Sequence, residues 1–454
     1  MTTAVRLLDG ASAPIHVTIV ERSSDVGRGV AYGVENTNCL LNVPAARMGA
    51  LVEDEEQFYH FARTRDRRVS PGDFLPRSLY GEYLDELLRS AARRGRQSGH
   101  ELRIVTDEAI GLEADVLGRF RVALASSAPL PPFDAVIVAT GNLSPLVPVQ
   151  VGSDLASHDR FISDPWAPSA LRRIDSRQGV LLIGTGLTAV DVALSIVEEH
   201  GELPMVAISR RGQLPQPHRP HGHPPSYGHF PPDLVSCSPT ISAYLSAVRK
   251  HVRALEDDGV DWREAIGSLR PLTPKLWQGL PREERERFLR HVQPFWDTHR
   301  HRISSRVWTR LQELRQREIL DVRAARLVGY SVESDHVRAI VRDRGRMQPR
   351  EYTVGSIINC TGPAADLRKQ MSPFLQALAD GGYAVVDSLG LGFRVAPNGS
   401  MIGRDGRPHD SLKLVGPLLK GEYWEATAVP ELRVHAARTA DSLLARFLGS
   451  VRHA

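Results

Sequence analysis

Residues 179–211 read GVLLIGTGLTAVDVALSIVEEHGELPMVAISRR, and they predict a strand, a glycine turn, a helix and a second strand. The apolar run 180–183 leads into GTGLTA, which is the G-x-G-x-x-A form of the dinucleotide fingerprint. A helix rich in Val, Ala and Leu follows at once. Because the order of elements agrees with the motif, the stretch predicts a dinucleotide site.

Each residue of this turn has a physical role in the predicted site. Gly184 permits the tight turn, Gly186 lets the backbone approach a pyrophosphate, and Ala189 lets helix and strand pack closely. Leu187 and Thr188 open the helix, whose first N–H groups have no partner in the helix and are available to phosphate oxygens.

The second strand ends in Ser209, Arg210 and Arg211, which indicate the type of dinucleotide. A carboxylate at this position would accept a hydrogen bond from the ribose 2′-OH of NAD. A hydroxyl and two guanidiniums suit the 2′-phosphate of NADP instead, so we predict NADPH as the cofactor. A membrane span over 179–197 is disfavoured by Asp191 and by the central glycines and threonines.

Composition sets the broad class of protein. The 454 residues suggest two or three domains, and 42% hydrophobic with 24% charged residues is typical of soluble globular proteins. The net charge of +4 is spread along the chain, so no nucleic-acid partner is expected. Cys39, Cys237 and Cys360 form no C-x-x-C pair, which favours a cytoplasmic protein and argues against a disulfide reductase.

The chain begins with a predicted helix over 2–8 and a strand over 16–21 that ends in Glu21, where such folds hold a ribose. The first strand and its glycine turn, expected before Thr2, are missing from the sequence. Two explanations stay open: the translation start is placed too late, or this nucleotide site has lost its pyrophosphate cradle.

Two strand endings repeat along the chain. The strand 135–139 runs into Thr140-Gly141, and the strand 352–360 runs into Thr361-Gly362. This repetition predicts an α/β fold with two Rossmann-like dinucleotide-binding domains, in which the NADP domain is inserted into the FAD domain. The expected limits are 1–170 for the first part of the FAD domain, 175–365 for the NADP domain with a helical insertion near 235–315, and 366–454 for the C-terminal part of the FAD domain.

Two further clusters have less specific patterns. His218, His221, His223 and His229 match no zinc spacing, so no metal site is predicted, and a loop near NADPH is the preferred interpretation. The segment 295–302, FWDTHRHR, places titratable groups beside aromatic residues. It fits an anionic substrate, NADPH or an ordinary salt-bridged helix end.

Five segments resemble a family of FAD/NAD(P)-binding flavoproteins that includes a bacterial FAD-dependent urate hydroxylase and aspartate N-hydroxylases. They are ERSSDVGRGVAYG (21–33), LLNVPAARM (40–48), VIVATGN (136–142), LLIGTGLTAVDVAL (181–194) and GPLLKGEYWEATAVPELRVHA (416–436). The resemblance covers nearly the whole chain and extends to flavin-containing monooxygenases.

The resemblance implies FAD as a second cofactor. Glu21 would bind its adenosine ribose, and Arg28 lies in the same motif. The residues expected to border or complete the flavin site are Asn42, Val43, Pro44, Thr140, Gly141, Gly416, Trp424, Thr427 and Ala428. Thr427 would cap a helix beginning near residue 429.

The implied reaction is reduction of FAD by NADPH, capture of O₂ as a C4a-(hydro)peroxyflavin and oxygen transfer to a small-molecule amine or ring. No catalytic side chain is identified, because the cofactor supplies the difficult chemistry. Two alternatives stay open, an NADPH-dependent reductase with another acceptor and a non-catalytic nucleotide-binding protein. A monomer or dimer without a membrane partner is expected, and the substrate is not indicated.

Overall fold

A computed structural model of the chain describes residues 1–34, 36–175, 177–219 and 230–451. The strands in these ranges form one seven-stranded sheet, one three-stranded sheet and two two-stranded sheets. None of the helices described is both long and apolar enough to cross a membrane.

The first part of the chain alternates helices with short strands. Its elements are α1 (Thr2–Gly10), β1 (His16–Glu21), α2 (Gly29–Tyr32), α3 (Gln57–Arg65), α4 (Arg77–Gln97), β2 (Glu101–Thr106), β3 (Ala109–Ala114), β4 (Phe120–Leu124) and β5 (Val136–Val138).

The middle of the chain contains the fingerprint and a helical insertion between two strands. Its elements are α5 (Ser153–Ala156), β6 (Phe161–Ile162), β7 (Val180–Ile183), α6 (Leu187–His200), β8 (Met205–Ser209), α7 (Ile241–Asp257), α8 (Trp262–Ser268), α9 (Thr273–Gly279), α10 (Arg282–Arg287), α11 (Gln293–Arg300), α12 (Ser305–Gln316), β9 (Leu320–Val332), β10 (Val337–Asp343), β11 (Arg350–Val354) and β12 (Ser356–Asn359). A π-helical segment, Phe288–Val292, joins α10 to α11.

The last part of the chain completes the first lobe. It consists of α13 (Pro373–Asp380), β13 (Ser400–Ile402), β14 (Pro408–Leu414) and α14 (Val429–Val451).

The seven-stranded sheet has the order β11-β10-β9-β8-β7-β12-β6. The strands from β9 to β6 are parallel, while β10 and β11 extend the sheet as an antiparallel meander. The predicted strand 352–360 is divided at Gly355 into β11 and β12, which occupy distant positions in the sheet. A Cβ atom on Gly355 would lie 3.0 Å from the Asp175 carbonyl oxygen, so a side chain at this crossing would be in tight contact with the backbone.

The strand β6 pairs with β12 in the sheet of the second lobe, although it falls inside the predicted first domain, 1–170. The domain limits drawn from the sequence therefore remain a prediction.

Among the described residues, the first lobe contains three separate small sheets, one of which is the antiparallel pair β3–β4. β1 pairs in parallel with β2, and β5 pairs in parallel with β14, which also pairs with β13. Within the described ranges, β1 has a hydrogen-bonded strand on one side only.

Buried polar contacts join the two lobes. Arg77, at the start of α4, forms a 3.1 Å ion pair with Asp191 of α6, and both side chains are largely buried. The Asn36 side-chain amide donates to the Ser195 hydroxyl at 3.0 Å. The helix that follows the fingerprint is therefore attached to the first lobe along one face.

The helical insertion lies against the C-terminal segment of the first lobe. The Trp277 indole N–H of α9 donates to the Gly421 carbonyl at 2.9 Å, and Arg270 forms an ion pair with Glu431 of α14. These contacts lie on either side of Trp424, Thr427 and Ala428, which the resemblance assigns to the flavin site.

Candidate functional site

The fingerprint turn has the geometry that the sequence predicts. Gly184 has φ 129°, and a Cβ atom there would lie 2.1 Å from the Cys360 carbonyl oxygen. Gly186 is the N-cap of α6, and no atom lies within 4 Å of the position of its absent Cβ. One glycine is thus required by packing, and the other leaves open space for a ligand to reach the backbone.

The first turn of α6 offers hydrogen-bond donors beside this space. Leu187, Thr188 and Ala189 open the helix, so their N–H groups have no acceptor within it. Ala189 is 3% exposed and packs in the core, as predicted. Partial positive charge at this end of the helix favours a bound anion.

The second Thr-Gly turn lies beside α6. The Thr361 hydroxyl donates to the Asn359 side-chain oxygen at 2.7 Å, and Asn359 is fully buried. Gly362 has φ 79°, and its Cβ position lies 3.9 Å from the Thr188 hydroxyl. The predicted Thr361 and Gly362 therefore border the same turn as the fingerprint.

Ser209 has a structural role at the end of β8 that the sequence did not reveal. The Thr185 hydroxyl donates to the Gln213 carbonyl at 2.7 Å, so the Ser209 hydroxyl must donate its single hydrogen to Thr185, 2.8 Å away. The Ser209 oxygen also accepts from the Gly212 N–H at 2.9 Å. In this arrangement the Ser209 hydroxyl hydrogen is used within the protein, and its contact with a 2′-phosphate remains a prediction.

The two arginines after Ser209 have different environments. Arg210 is exposed, whereas the Arg211 guanidinium lies 4.6 Å from the centroid of the Phe295 ring of α11. The Arg211 Nη1 atom is buried and has no hydrogen-bond partner. These guanidiniums are the groups at this end of β8 that suit a 2′-phosphate.

In the first lobe, Glu21 ends β1 and its carboxylate accepts from the Ser23 N–H at 3.3 Å. Arg28 forms an ion pair with Asp85 of α4, and both side chains are about three-quarters buried. The Arg28 guanidinium is therefore paired with a carboxylate of the protein itself, and its contact with a cofactor remains a prediction.

The loop 42–44 connects the two nucleotide lobes. The Asn42 carbonyl accepts from His218 Nε2 at 3.0 Å, Val43 packs against the core of the first lobe, and Pro44 begins a 3₁₀ turn. The His218 imidazole lies 4.6 Å from the Phe74 ring. Burial, followed by the charge of Arg302, lowers the pKa of His218 to about 3, so the ring is neutral near pH 7.

Two glycines of the first lobe leave open space at strand ends. Gly141, after Thr140 and β5, has φ 74°, and Gly416, after β14, has φ 103°. No atom lies within 4 Å of either absent Cβ. Since β5 and β14 are neighbouring parallel strands, both glycines follow the carboxyl ends of adjacent strands, where α/β sheets bind ligands.

The C-terminal segment differs in detail from the prediction. Trp424 is 4% exposed and packs against Trp277 and Phe288 of the helical insertion. α14 begins at residue 429 as expected, but Ala428 supplies the carbonyl that accepts from the Leu432 N–H. Ala428, rather than Thr427, therefore occupies the N-cap position.

A cluster of buried charges joins α11 to this segment. Arg300 lies 2.7 Å from a Glu425 carboxylate oxygen, and Glu425 also accepts from the Trp296 indole at 3.2 Å. Burial lowers the pKa of His301, while Glu425 has a lowered pKa because nearby cations outweigh its burial. The sequence shows that the segment 295–302 combines titratable and aromatic residues, but it does not predict the pairing of Arg300 with Glu425.

Metal binding has no support in the part of the chain that the structure describes. No group of three or more potential metal ligands occurs there. His221, His223 and His229 lie outside the described residues. The three cysteines are free, and burial raises the pKa of Cys39 to about 12 and that of Cys360 further, so neither is a reactive thiolate.

The residues described fit an NADP dinucleotide and fit a flavin in part. The open backbone at Gly186, the α6 N–H groups and the arginine pair match the phosphates of NADPH. The spaces at Gly141 and Gly416 match a flavin ring, and Glu21 matches a ribose.

Comparisons with known proteins agree with this fold. Residues 1–143 match a family model described as FAD-NAD(P)-binding. No curated protein matches the chain by sequence.

Solved structures with the same architecture cover almost the whole chain. An ornithine N-hydroxylase from Kutzneria sp. 744, whose structure includes reduced FAD, NADP⁺ and L-ornithine, is 15% identical over 98% of this chain and 96% of its own, with a TM-score of 0.64. L-lysine 6-monooxygenase from Pseudomonas syringae is 14% identical over 98% and 97% of the two chains, with a TM-score of 0.62.

A third similar structure is the FAD-bound cadaverine monooxygenase from Erwinia amylovora, which is 12% identical over 98% of this chain and 92% of its own, with a TM-score of 0.62. The predicted fold is therefore confirmed: the chain has the two-lobed dinucleotide-binding architecture found in flavoprotein monooxygenases.

Proposed function

We propose that the protein is an FAD- and NADPH-dependent monooxygenase that hydroxylates an amine nitrogen of a small molecule. The observation that carries this proposal is the 3.0 Å hydrogen bond from His218 to Asn42. This bond joins the segment that follows β8, the strand assigned to the NADPH site, to the loop 42–44, which is expected to border the flavin. Hydride transfer between two bound cofactors needs such an approach of their sites.

The reaction balances with one NADPH and one O₂. The amine, O₂, NADPH and a proton give the N-hydroxylated product, NADP⁺ and water, with two electrons from NADPH and two from the substrate. FAD, when bound, accepts the hydride and activates O₂.

The protein's own contribution is binding, orientation and exclusion of water. Arg210 and Arg211 would bind the 2′-phosphate, and the backbone at Gly186 with the α6 N–H groups would bind the pyrophosphate. Trp277 packs against Trp424, and this contact would help to exclude water from a flavin bound beside the C-terminal segment.

The similar structures named as ornithine, lysine and cadaverine enzymes support an amine substrate. The resemblance to a urate hydroxylase adds ring hydroxylation as a second possibility to test. We further propose a cytoplasmic monomer or dimer that binds neither nucleic acid nor membrane, with the domain limits given above.

The test begins with the visible spectrum of the protein purified with added FAD, before and after anaerobic addition of NADPH. Bleaching of the flavin bands is expected, followed on admitting O₂ by a hydroxylated product from L-ornithine, L-lysine, cadaverine or urate. Bleaching that turns over only with another electron acceptor would identify a reductase. NADPH binding without retained flavin would identify a non-catalytic nucleotide-binding protein.

A further inference from the structure

Arg302 is a buried cation without an ion-pair or hydrogen-bond partner among the residues that the structure describes. It lies between α11 and α12 and is 4% exposed. Within the described ranges it makes neither a hydrogen bond nor an ion pair, and its Nε atom is fully buried. Burying an unpaired charge is costly, so a natural protein rarely does so without a function for the charge.

The arginines around Arg302 make the imbalance clear. Arg263 lies 3.0 Å from Asp261, Arg300 lies 2.7 Å from Glu425, and Arg219 forms an ion pair with Glu264. These three guanidiniums each have a carboxylate.

Arg302 lacks one, and therefore leaves one positive charge uncompensated among the described side chains. Burial, followed by the charges of Arg300 and Arg263, lowers the pKa of Arg302 to about 9. The side chain still carries its charge near neutral pH.

The position of Arg302 indicates which ligand it serves. The His218 N–H donates to the carbonyl of the next residue, Ile303, at 2.8 Å, and the His218 ring reaches Asn42. The Trp262 ring centroid lies 6.0 Å from the Arg302 guanidinium carbon. Arg302 therefore lies near the junction of the lobes, beside an aromatic side chain and close to the loop expected to border the flavin.

α11 lies between Arg302 and the end of β8, where the adenosine end of NADPH is proposed to bind. Phe295, near the start of α11, contacts Arg211 beyond β8, while the Gln216 N–H donates to the Thr298 carbonyl at 2.9 Å farther along. The loop from Arg211 to His218 thus follows α11 toward Arg302. The phosphates of NADPH have their donors at the other end of this path.

We propose that Arg302 binds the carboxylate of the substrate. The inference rests on the proposed function and narrows it to amines that carry a carboxylate. One guanidinium fork matches one carboxylate in shape and charge, and the pair would compensate the charge that the protein leaves open. An amine without a carboxylate, such as cadaverine, would leave Arg302 unpaired and is expected to bind poorly.

The test compares the wild-type protein with Arg302→Met and Arg302→Lys, all supplied with FAD. Arg306→Met is the matched control, because Arg306 is exposed on α12. Melting temperatures are measured in sodium acetate, sodium phosphate and sodium chloride at equal ionic strength. Acetate is expected to raise the wild-type melting temperature above that in chloride by about 2 °C.

The rise in acetate should be kept in Arg306→Met, reduced in Arg302→Lys and absent in Arg302→Met. No rise in the wild type, or an equal rise in Arg302→Met, would overturn the proposal. A larger rise in phosphate that depends on Arg302, or weaker NADPH binding in Arg302→Met, would assign the site to a phosphate instead. If Arg302→Met does not fold, the wild type and Arg302→Lys decide the result.

Anaerobic reduction of the flavin by NADPH is recorded on the same samples. Failure of that reduction would contradict the proposed function, whereas the response to acetate reports only on the carboxylate site. The two failures are therefore distinguishable.

Discussion

The Arg211 guanidinium lies over the Phe295 ring at 4.6 Å, and this contact joins the end of β8 to α11. A cation held against an aromatic face keeps a defined direction although Arg211 has no carboxylate partner among the ion pairs of the described residues. Recognition of a 2′-phosphate by Arg211, as proposed, would therefore depend on a residue of the helical insertion, 84 positions beyond Arg211 in the chain.

Phe295→Leu is expected to weaken NADP⁺ binding and to leave NAD⁺ binding unchanged. Loss of the cation–π contact should reduce NADP⁺ affinity about 2- to 5-fold. Titration calorimetry with both dinucleotides measures the difference. In an Arg211→Gln background the same substitution should have no further effect, and an equal loss there would show that Phe295 acts independently of Arg211.

The two glycines of the fingerprint should respond differently to a side chain. Gly186→Val places its side chain in open space, so the melting temperature should stay unchanged while NADP⁺ binding is lost. Gly184→Ala drives a methyl group against the Cys360 carbonyl at a positive φ, and should lower the free energy of unfolding by about 2 to 4 kcal/mol. Retained NADP⁺ binding in Gly186→Val would contradict the assigned approach to the backbone.

Glu425→Gln removes one partner of the buried ion pair with Arg300. Because the Glu425 side chain is 1% exposed, the unpaired guanidinium should lower the free energy of unfolding by about 3 to 5 kcal/mol. Glu313→Gln is the control, since it breaks an exposed ion pair with Arg310 and should cost at most about 0.5 kcal/mol. Urea denaturation measures both, and equal effects would exclude a special role for the buried pair.

The neutral His218 predicts a loss of stability in acid. Its folded pKa of about 3 lies below its ordinary value of 6.5, so protons bind the unfolded chain first as the pH falls. Its contribution is complete above pH 6.5 and is lost progressively as the pH falls from 6.5 to 3. Between pH 7.5 and 5 the expected loss is about 2 kcal/mol.

His218→Gln should remove this part of the pH dependence, since Gln offers an N–H to Asn42 and does not titrate. His435→Gln serves for comparison, because burial also lowers the pKa of His435, to about 4. Urea unfolding at pH 7.5 and 5 measures the slopes. A slope in His218→Gln identical to that of the wild type would rule out His218 as a source of acid lability.

Much of the fold follows from local sequence patterns. The fingerprint, the two Thr-Gly turns and the start of α14 depend on neighbouring residues, and the structure places them as predicted. The predicted strand 352–360 is too long, because nothing in the residues around Gly355 indicates that the chain moves to another position in the sheet there. Only its approach to Asp175, far away in sequence, explains the break.

The details of the site depend on contacts between distant residues. Ser209 has the right chemistry for a phosphate, but its hydrogen is committed to Thr185, which belongs to another turn. Phe295 and Glu425 are likewise defined by partners more than 80 residues away. Periodicity and motif spacing contain no information about such pairs, which arise only when the lobes pack together.

The alignment of α11 with the loop after β8 has a consequence for redesign of the protein. Phe295 lies in α11 and Arg302 lies two positions beyond its last residue, so the same short segment carries the proposed cofactor contact and the proposed substrate contact. An insertion or deletion within 295–302 would shift the two recognition points against each other. Substitutions that let the protein accept a longer or shorter substrate would therefore have to be made in the neighbouring helices. The length of the segment 295–302 would have to stay constant.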